Sequence, residues 1–242
     1  MTICALLTGR GNNTLQDKNI REVNGHPLLA YPAMAAKEAR GVEHLFVSSD
    51  DPKILKAAEN YGYQPILRPK FLAAPDSKHI DAIFHGVEYM QKQLKRPIEI
   101  LVVLLANSGT IKTEWIDQGI QFLIDNPEVS SVVPVYKEQD HHPYRAKRVG
   151  QDGFLKTYFD FGQEEISTNR QDLPDNYFLC HNFWILNMKQ SLFREGGQKP
   201  WVFLGEKIYP IIVEESFDVH DLDDIQRTEV WLKENGISYP KV

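Results

Sequence analysis

Short apolar runs alternate along this chain with longer stretches whose apolar residues recur at helical spacing. Ile3 to Leu7, Leu45 to Val47, Pro65 to Leu67 and Ile98 to Leu105 read as strands, and so do Val129 to Tyr136, Tyr177 to Leu186 and Lys207 to Val213. Between them the pattern predicts helices over Pro27 to Ala39, Lys53 to Tyr61, Thr113 to Ile124 and Leu222 to Glu234. A further helix is expected after Ser77, read as its cap, with Ile80, Ile83, Phe84, Val87 and Met90 on its apolar face. Ser48 to Pro52 is a good helix start, and Asn235-Gly236 a sound stop.

Strands alternating with helices predict βαβ units, hence an α/β protein built on a mostly parallel sheet flanked by helices. The rhythm is lost between Lys137 and Asn176, where the chain turns polar around the aromatic run Tyr158-Phe159-Asp160-Phe161. The organisation expected is therefore one domain from residues 1–136 and 177–242, with an insertion at 137–176. A length of 242 residues agrees with one domain carrying an insertion.

Composition narrows the class. With 42% hydrophobic and 25% charged residues the chain is neither disordered, collagen-like nor a coiled coil. A net charge of −6 makes nucleic acid a poor partner, though it leaves room for a local basic pocket. Cys4 and Cys180 lie in apolar runs with no metal-ligand spacing around them, as expected of buried thiols in a reducing cytoplasm. The apolar run at Met1 to Leu7 is too short for a signal-peptide core or a membrane span, so a cytoplasmic protein without membrane attachment is expected.

In an open α/β sheet ligands bind beyond the carboxyl ends of the strands, so the loops after Leu7, Val47, Leu105 and Val135 are expected to face one cleft. The first, Thr8 to Asn19, is the most informative. Gly9 and Gly11 allow close backbone approach, and Arg10 and Lys18 are placed to reach different phosphates. It is neither a Walker loop nor a dinucleotide fingerprint, and alone it fits a phosphate cradle or a solvated loop equally. His141-His142 is a poor metal pair, because adjacent residues of a strand point to opposite faces. One of His181 and Asn182 must face inward, which leaves His181 either a satisfied buried side chain or a substrate contact. Phe178, Phe183 and Trp184 are expected in the core, and no Ser or Cys/His constellation argues for hydrolysis.

Several blocks taken together resemble one family. They are the first loop; Asn24-Gly25-His26-Pro27-Leu28-Leu29; Val47-Ser48-Ser49-Asp50-Asp51; Leu67-Arg68-Pro69; His141-His142-Pro143; Arg170-Gln171-Asp172-Leu173-Pro174; and Phe217-Asp218-Val219-His220-Asp221. In this order, over nearly the whole chain, they are similar to the cytidylyltransferases that make CMP-sialic acid and related CMP-sugar acids. The resemblance implies a Rossmann-like nucleotide-binding domain with a dimerising insertion, CTP as co-substrate, Mg²⁺ as cofactor, an acidic sugar as acceptor and pyrophosphate as product.

By position, the resemblance makes Arg10, Lys18 and Asp218 the catalytic candidates. It places Asn19 and Arg68 on the nucleotide and Arg170 on the acceptor; Gly9, Gly11, Asn12 and Ser77 are further nucleotide-binding candidates, and Asn107, Asn169, Gln171 and His181 further acceptor-binding candidates. Arg170 would hold the acceptor's carboxylate, and Asp218 with His220 would occupy the metal-binding D-x-D positions. Phosphoryl transfer needs cations and a metal on the phosphate oxygens more than it needs covalent help, so the residue types suit these roles.

Three departures bear on activity. Thr14 stands where the family loop has a lysine, Ala106 where it has a sugar-contacting glutamine, and His220 where it has the second aspartate. Mg²⁺ prefers oxygen to imidazole, so Asp221, Asp223 or Asp224 would have to supply the missing ligand. These changes leave two alternatives open: nucleotidyl transfer to another small acid or a sugar phosphate, and a nucleotide- or sugar-binding homologue without turnover.

Overall fold

A computed structural model describes residues 1–11 and 14–240. The chain runs β1 (Ile3–Thr8), β2 (Glu22–Val23), β3 (His26–Pro27), α1 (Ala30–Glu38), β4 (His44–Ser49), α2 (Pro52–Glu59), β5 (Gln64–Leu67), α3 (His79–Leu94) and β6 (Ile100–Leu105). It continues through α4 (Thr113–Asp125), β7 (Ser131–Lys137), β8 (Lys147–Val149), β9 (Leu155–Thr157), β10 (Tyr177–Leu179), β11 (Phe183–Asn187), β12 (Ile208–Ile212) and α5 (Leu222–Glu234). Eight strands form one sheet in the order β10-β7-β11-β6-β1-β4-β5, with β12 also paired to β7. The β6-β1-β4-β5 half is parallel and β12 runs parallel to β7. In contrast, β11 lies antiparallel between β6 and β7. This is the α/β, Rossmann-like architecture expected.

Alternate residues of the central strands feed opposite faces, as the pleat requires. Ala5, Leu7, Val102 and Leu104 join the core beneath α1, α2 and α4. Cys4, Leu6, Leu101 and Val103 join the core beneath α3. Burial pushes the Cys4 and Cys180 thiols up to about 12, so both stay protonated. The start of α2 follows the sequence signal: the Asp51 carboxylate accepts the Lys53 N–H at 2.8 Å, with Pro52 in the first turn.

The structure corrects the sequence reading at several places. The helix expected from Pro27 starts at Ala30, because Asn24 and Gly25 both have positive φ (46° and 87°) and turn β2 into β3 as a two-residue hairpin that holds Pro27. Ser77 does not cap α3; its hydroxyl donates back to the carbonyls of Leu72 and Ala74, closing the preceding turn. The run Tyr177 to Leu186 is two strands, not one. Leu179 faces Val135 while Ile185 faces Val132, so the pairing slips by three residues along β7 and Cys180–Asn182 bulges out between them. Phe183 and Trp184 are buried as expected, but Phe178 is exposed. The segment 137–176 contributes the separate β8-β9 ribbon.

Candidate active site

The carboxyl ends of β1, β5 and β6 open on a cavity of about 240 Å³ lined by Thr8, Gly9, Arg10, Lys18, Asn19, Arg68, Leu72, Ser77, His79, Leu105 and Asn107. Of the four loops expected at one cleft, those after β4 and β7 contribute no lining residue. Close packing favours glycine at both loop positions: a Cβ at Gly9 would sit 3.0 Å from that of Ala106, and one at Gly11 2.8 Å from that of Asp51. The Gly11 amide donates to Asp50 Oδ1 at 3.1 Å, which ties the loop to the end of β4. Asn12 lies outside the described residues.

Three cations reach this cavity, two from the loop after β1 and one from the end of β5. Arg10 leaves the end of β1. Lys18 is drawn in by the turn Lys18–Ile20, and its Nζ donates to the Val219 carbonyl at 2.7 Å. Burial lowers the Lys18 pKa, Asp218 raises it in part, and Arg10 lowers it further. Asn19, also buried, donates to the Arg10 carbonyl at 3.1 Å and so holds the loop around the arginine. Arg68 is 5% exposed; its Nε donates to Ser48 Oγ at 3.1 Å and its Nη2 to the Ser48 carbonyl at 2.8 Å. Burial pulls its pKa down to about 10, so it stays charged at neutral pH.

Asp218, on the loop before α5, lies outside the cavity lining but close enough to Lys18 to raise its pKa in part. The Asn107 side chain donates to its Oδ2 at 3.1 Å, and the Val219 amide donates to the Asn107 carbonyl at 2.8 Å. Ser108 and Thr110 add hydrogen bonds to the Phe217 carbonyl, so the loop after β6 and the Asp218 loop form one unit. His220 Nε2 lies 3.1 Å from Asp218 Oδ2, as a carboxylate partner. Asp221 is engaged as the cap of α5, and Asp224 accepts the His220 amide at 2.8 Å. Among the described residues no group of three or more His, Cys, Asp or Glu side chains is spaced to hold a metal ion. Asp218 by itself fits Mg²⁺ only where substrate phosphates complete the shell, a common arrangement for this ion.

The other acceptor candidates lie apart from the cavity lining. Asn169, Arg170 and Gln171 sit on an exposed turn of the 137–176 segment, where Arg170 pairs with Asp140 and Asn169 with Asp172. His181 is half-buried in the bulge between β10 and β11, its ring 5.1 Å from that of Trp201, and burial lowers its pKa. Its neighbour Asn182 is the inward residue, fully buried and hydrogen-bonded to Thr110 and Ser216. Ala106 is fully buried in the core beneath α1 and α4, so Asn107, not residue 106, presents a side chain to the cavity. His79 was not legible as a site residue. It sits seventy-one residues from Thr8 in sequence but 2.9 Å from its hydroxyl in space.

The cationic cavity at the carboxyl edge of the sheet's parallel half stands where open α/β folds bind their ligands, and its charge suits an anionic one. The sequence profile of the cytidylyltransferase family matches residues 10–194, and the chain belongs to that family. It is a CTP-dependent enzyme. Among its relatives is the post-translational flagellin modification protein B of Campylobacter coli, 25% identical over 97% of this chain and 96% of its own length. The CMP-N,N'-diacetyllegionaminic acid synthase of Legionella pneumophila is 26% identical over 97% of this chain and 98% of its own length. The fold is shared with a CMP:2-keto-3-deoxy-manno-octonic acid synthetase solved in complex with CTP, at 14% identity and a TM-score of 0.67 over 97% of this chain and 100% of that one.

Proposed function

We propose that this enzyme transfers the cytidylyl group of CTP to a nonulosonate-like sugar acid and releases pyrophosphate. The acceptor's hydroxyl oxygen attacks the α-phosphorus in line, its proton passes to water, and the bond to the pyrophosphate oxygen breaks. Arg10 and Lys18 bind the triphosphate and neutralise charge as it shifts to the leaving group. Arg68 and Ser77 hold the nucleoside end. Asp218, oriented by Asn107, would hold Mg²⁺ together with phosphate oxygens; the ion would supply further charge neutralisation there. Arg170, with Asn169 and Gln171 beside it, takes the acceptor's carboxylate, since a guanidinium can engage both of its oxygens. His181 contacts the acceptor. The enzyme works as a homodimer through the 137–176 segment, and in the cytoplasm.

The observation that carries this reading is the convergence of Arg10, Lys18 and Arg68 on one cavity, in a chain whose net charge is −6. Such a local reversal of charge suits a polyanionic ligand. The test is a pyrophosphate-release screen of CTP against nonulosonic acids, other small acids and sugar phosphates, with and without Mg²⁺. Magnesium-dependent release with a nonulosonic acid, and a CMP-sugar mass in the product, is expected. Turnover of a sugar phosphate in preference to every acid would refute it.

A further inference from the structure

His79 opens α3 and lies against the end of β1, with its Nε2 2.9 Å from the Thr8 hydroxyl oxygen. That hydroxyl has one proton, and the Leu104 carbonyl 3.0 Å away, which can only accept, takes it. The imidazole is therefore the donor to Thr8 and carries its proton on Nε2. Burial, with the charges of Arg68 and His181, pulls its pKa down to about 4, so the ring gains no second proton at neutral pH. Nδ1 is left as a bare lone pair. It makes no hydrogen bond among the described residues, and it is not among the partnerless side-chain atoms sealed from solvent, which are His85 Nδ1 and Trp184 Nε1. His79 is one of the residues that line the cavity.

Arg68 lines the same cavity with the opposite chemistry. Its Nε and Nη2 are engaged by Ser48, which leaves the protons of Nη1 for a ligand. A guanidinium only donates, whereas an unprotonated imidazole nitrogen only accepts. Cytosine carries a donor, its 4-amino group, on the edge that also holds acceptors; uracil carries a carbonyl oxygen in place of that amino group. We propose that His79 Nδ1 accepts a hydrogen bond from the 4-amino group of cytosine, and so makes the enzyme select CTP over UTP. The hydrogen bond from Nε2 to Thr8 is what holds the ring in the accepting tautomer. This inference rests on the reading of the cavity as the nucleotide site.

The test titrates CTP, UTP and 2′-deoxy-CTP into the full chain with magnesium present, for the native sequence, His79→Ala, His79→Asn and Lys18→Met. His79→Ala is expected to weaken CTP and 2′-deoxy-CTP alike by about tenfold, the size of one hydrogen bond, and to leave UTP unchanged. In His79→Asn the carboxamide can turn to present either oxygen or NH₂, so UTP affinity is expected to rise. The inference is overturned if His79→Ala weakens CTP and UTP together or leaves their ratio unchanged. It is overturned equally if only CTP is weakened and 2′-deoxy-CTP is not, which would assign the contact to the ribose. Where His79→Ala fails to fold, the ratio in His79→Asn decides. Lys18→Met is expected to weaken both triphosphates alike; if it weakens neither, the cavity reading fails, a result independent of the CTP-to-UTP ratio.

Discussion

Replacing Lys18 by methionine removes an ammonium group and keeps most of the stem that packs around it. The residue is 9% exposed, its Nζ donates to the Val219 carbonyl at 2.7 Å, and burial holds its pKa below the ordinary 10.5. For folding, two effects oppose each other. Losing a buried charge relieves desolvation, while the Val219 carbonyl left without its donor costs about 1–3 kcal/mol. Because 1 kcal/mol moves the Tm of a chain this size by about 2–4 °C, the melting temperature is expected to stay within roughly 4 °C. For the triphosphate nothing compensates. A lost charge-assisted hydrogen bond of about 1.5–3 kcal/mol lowers kcat/KM for CTP by about ten- to a hundredfold. Initial rates of pyrophosphate release over a range of CTP, at saturating acceptor, read this directly beside a thermal melt. The pH dependence adds an internal check. With the folded pKa below 10.5, the unfolded chain binds more protons between the two values, so native stability rises with pH across that window; the methionine variant should lack this rise. An unchanged kcat/KM in a folded variant would make Lys18 a support for the Val219 loop and nothing more. A Tm fall beyond about 10 °C would show that its role is structural first.

Other outcomes follow from the same geometry. His79 titrates near 4 when folded against an ordinary 6.5, so the unfolded chain takes up the proton first; stability should fall by up to about 3 kcal/mol as pH drops from 6.5 to 4, and His79→Asn should remove that part of the loss in pH-dependent urea melts. Arg170→Lys keeps the charge and loses the fork, so the acceptor's KM should rise far more than that of CTP; equal KM values for both forms would take the carboxylate clamp away from Arg170. Tyr144 meets Phe159 and Phe161 edge-on in the 137–176 segment, with Tyr158 exposed beside them. Such a patch is expected to be covered by a second copy, and a monomeric mass at micromolar concentration would contradict this.

Much of the site was legible because its chemistry is carried by short contiguous segments. Gly9, Arg10, Lys18 and Asn19 lie on one loop, and Arg68 directly follows the strand that ends at Leu67, so a strand-end rule and a family resemblance were enough to collect them. Asn107 was found in the same way, after β6. Ser77 does line the cavity, although its hydroxyl closes a turn and caps nothing. His79 was missed because nothing local marks it. A histidine at the start of a helix acquires a role only when Thr8 and Leu104, from two neighbouring parallel strands, fix which nitrogen bears the proton.

By itself the sequence determined the alternation of strands and helices and the boundaries of α5, since each depends on periodicity within a few residues. Only the tertiary structure decided the rest. The antiparallel entry of β11 and the bulge at Cys180–Asn182 come from pairing with both β6 and β7, and a local apolar run cannot encode two partners. The inward turn of Ala106 goes with its amide's bond to the Thr8 carbonyl at the end of β1, and the pairing of His220 with Asp218 goes with the bonding of the loop after β6 to the loop before α5. Side-chain direction in a loop is set by its long-range hydrogen bonds, because no repeating backbone geometry sets it locally.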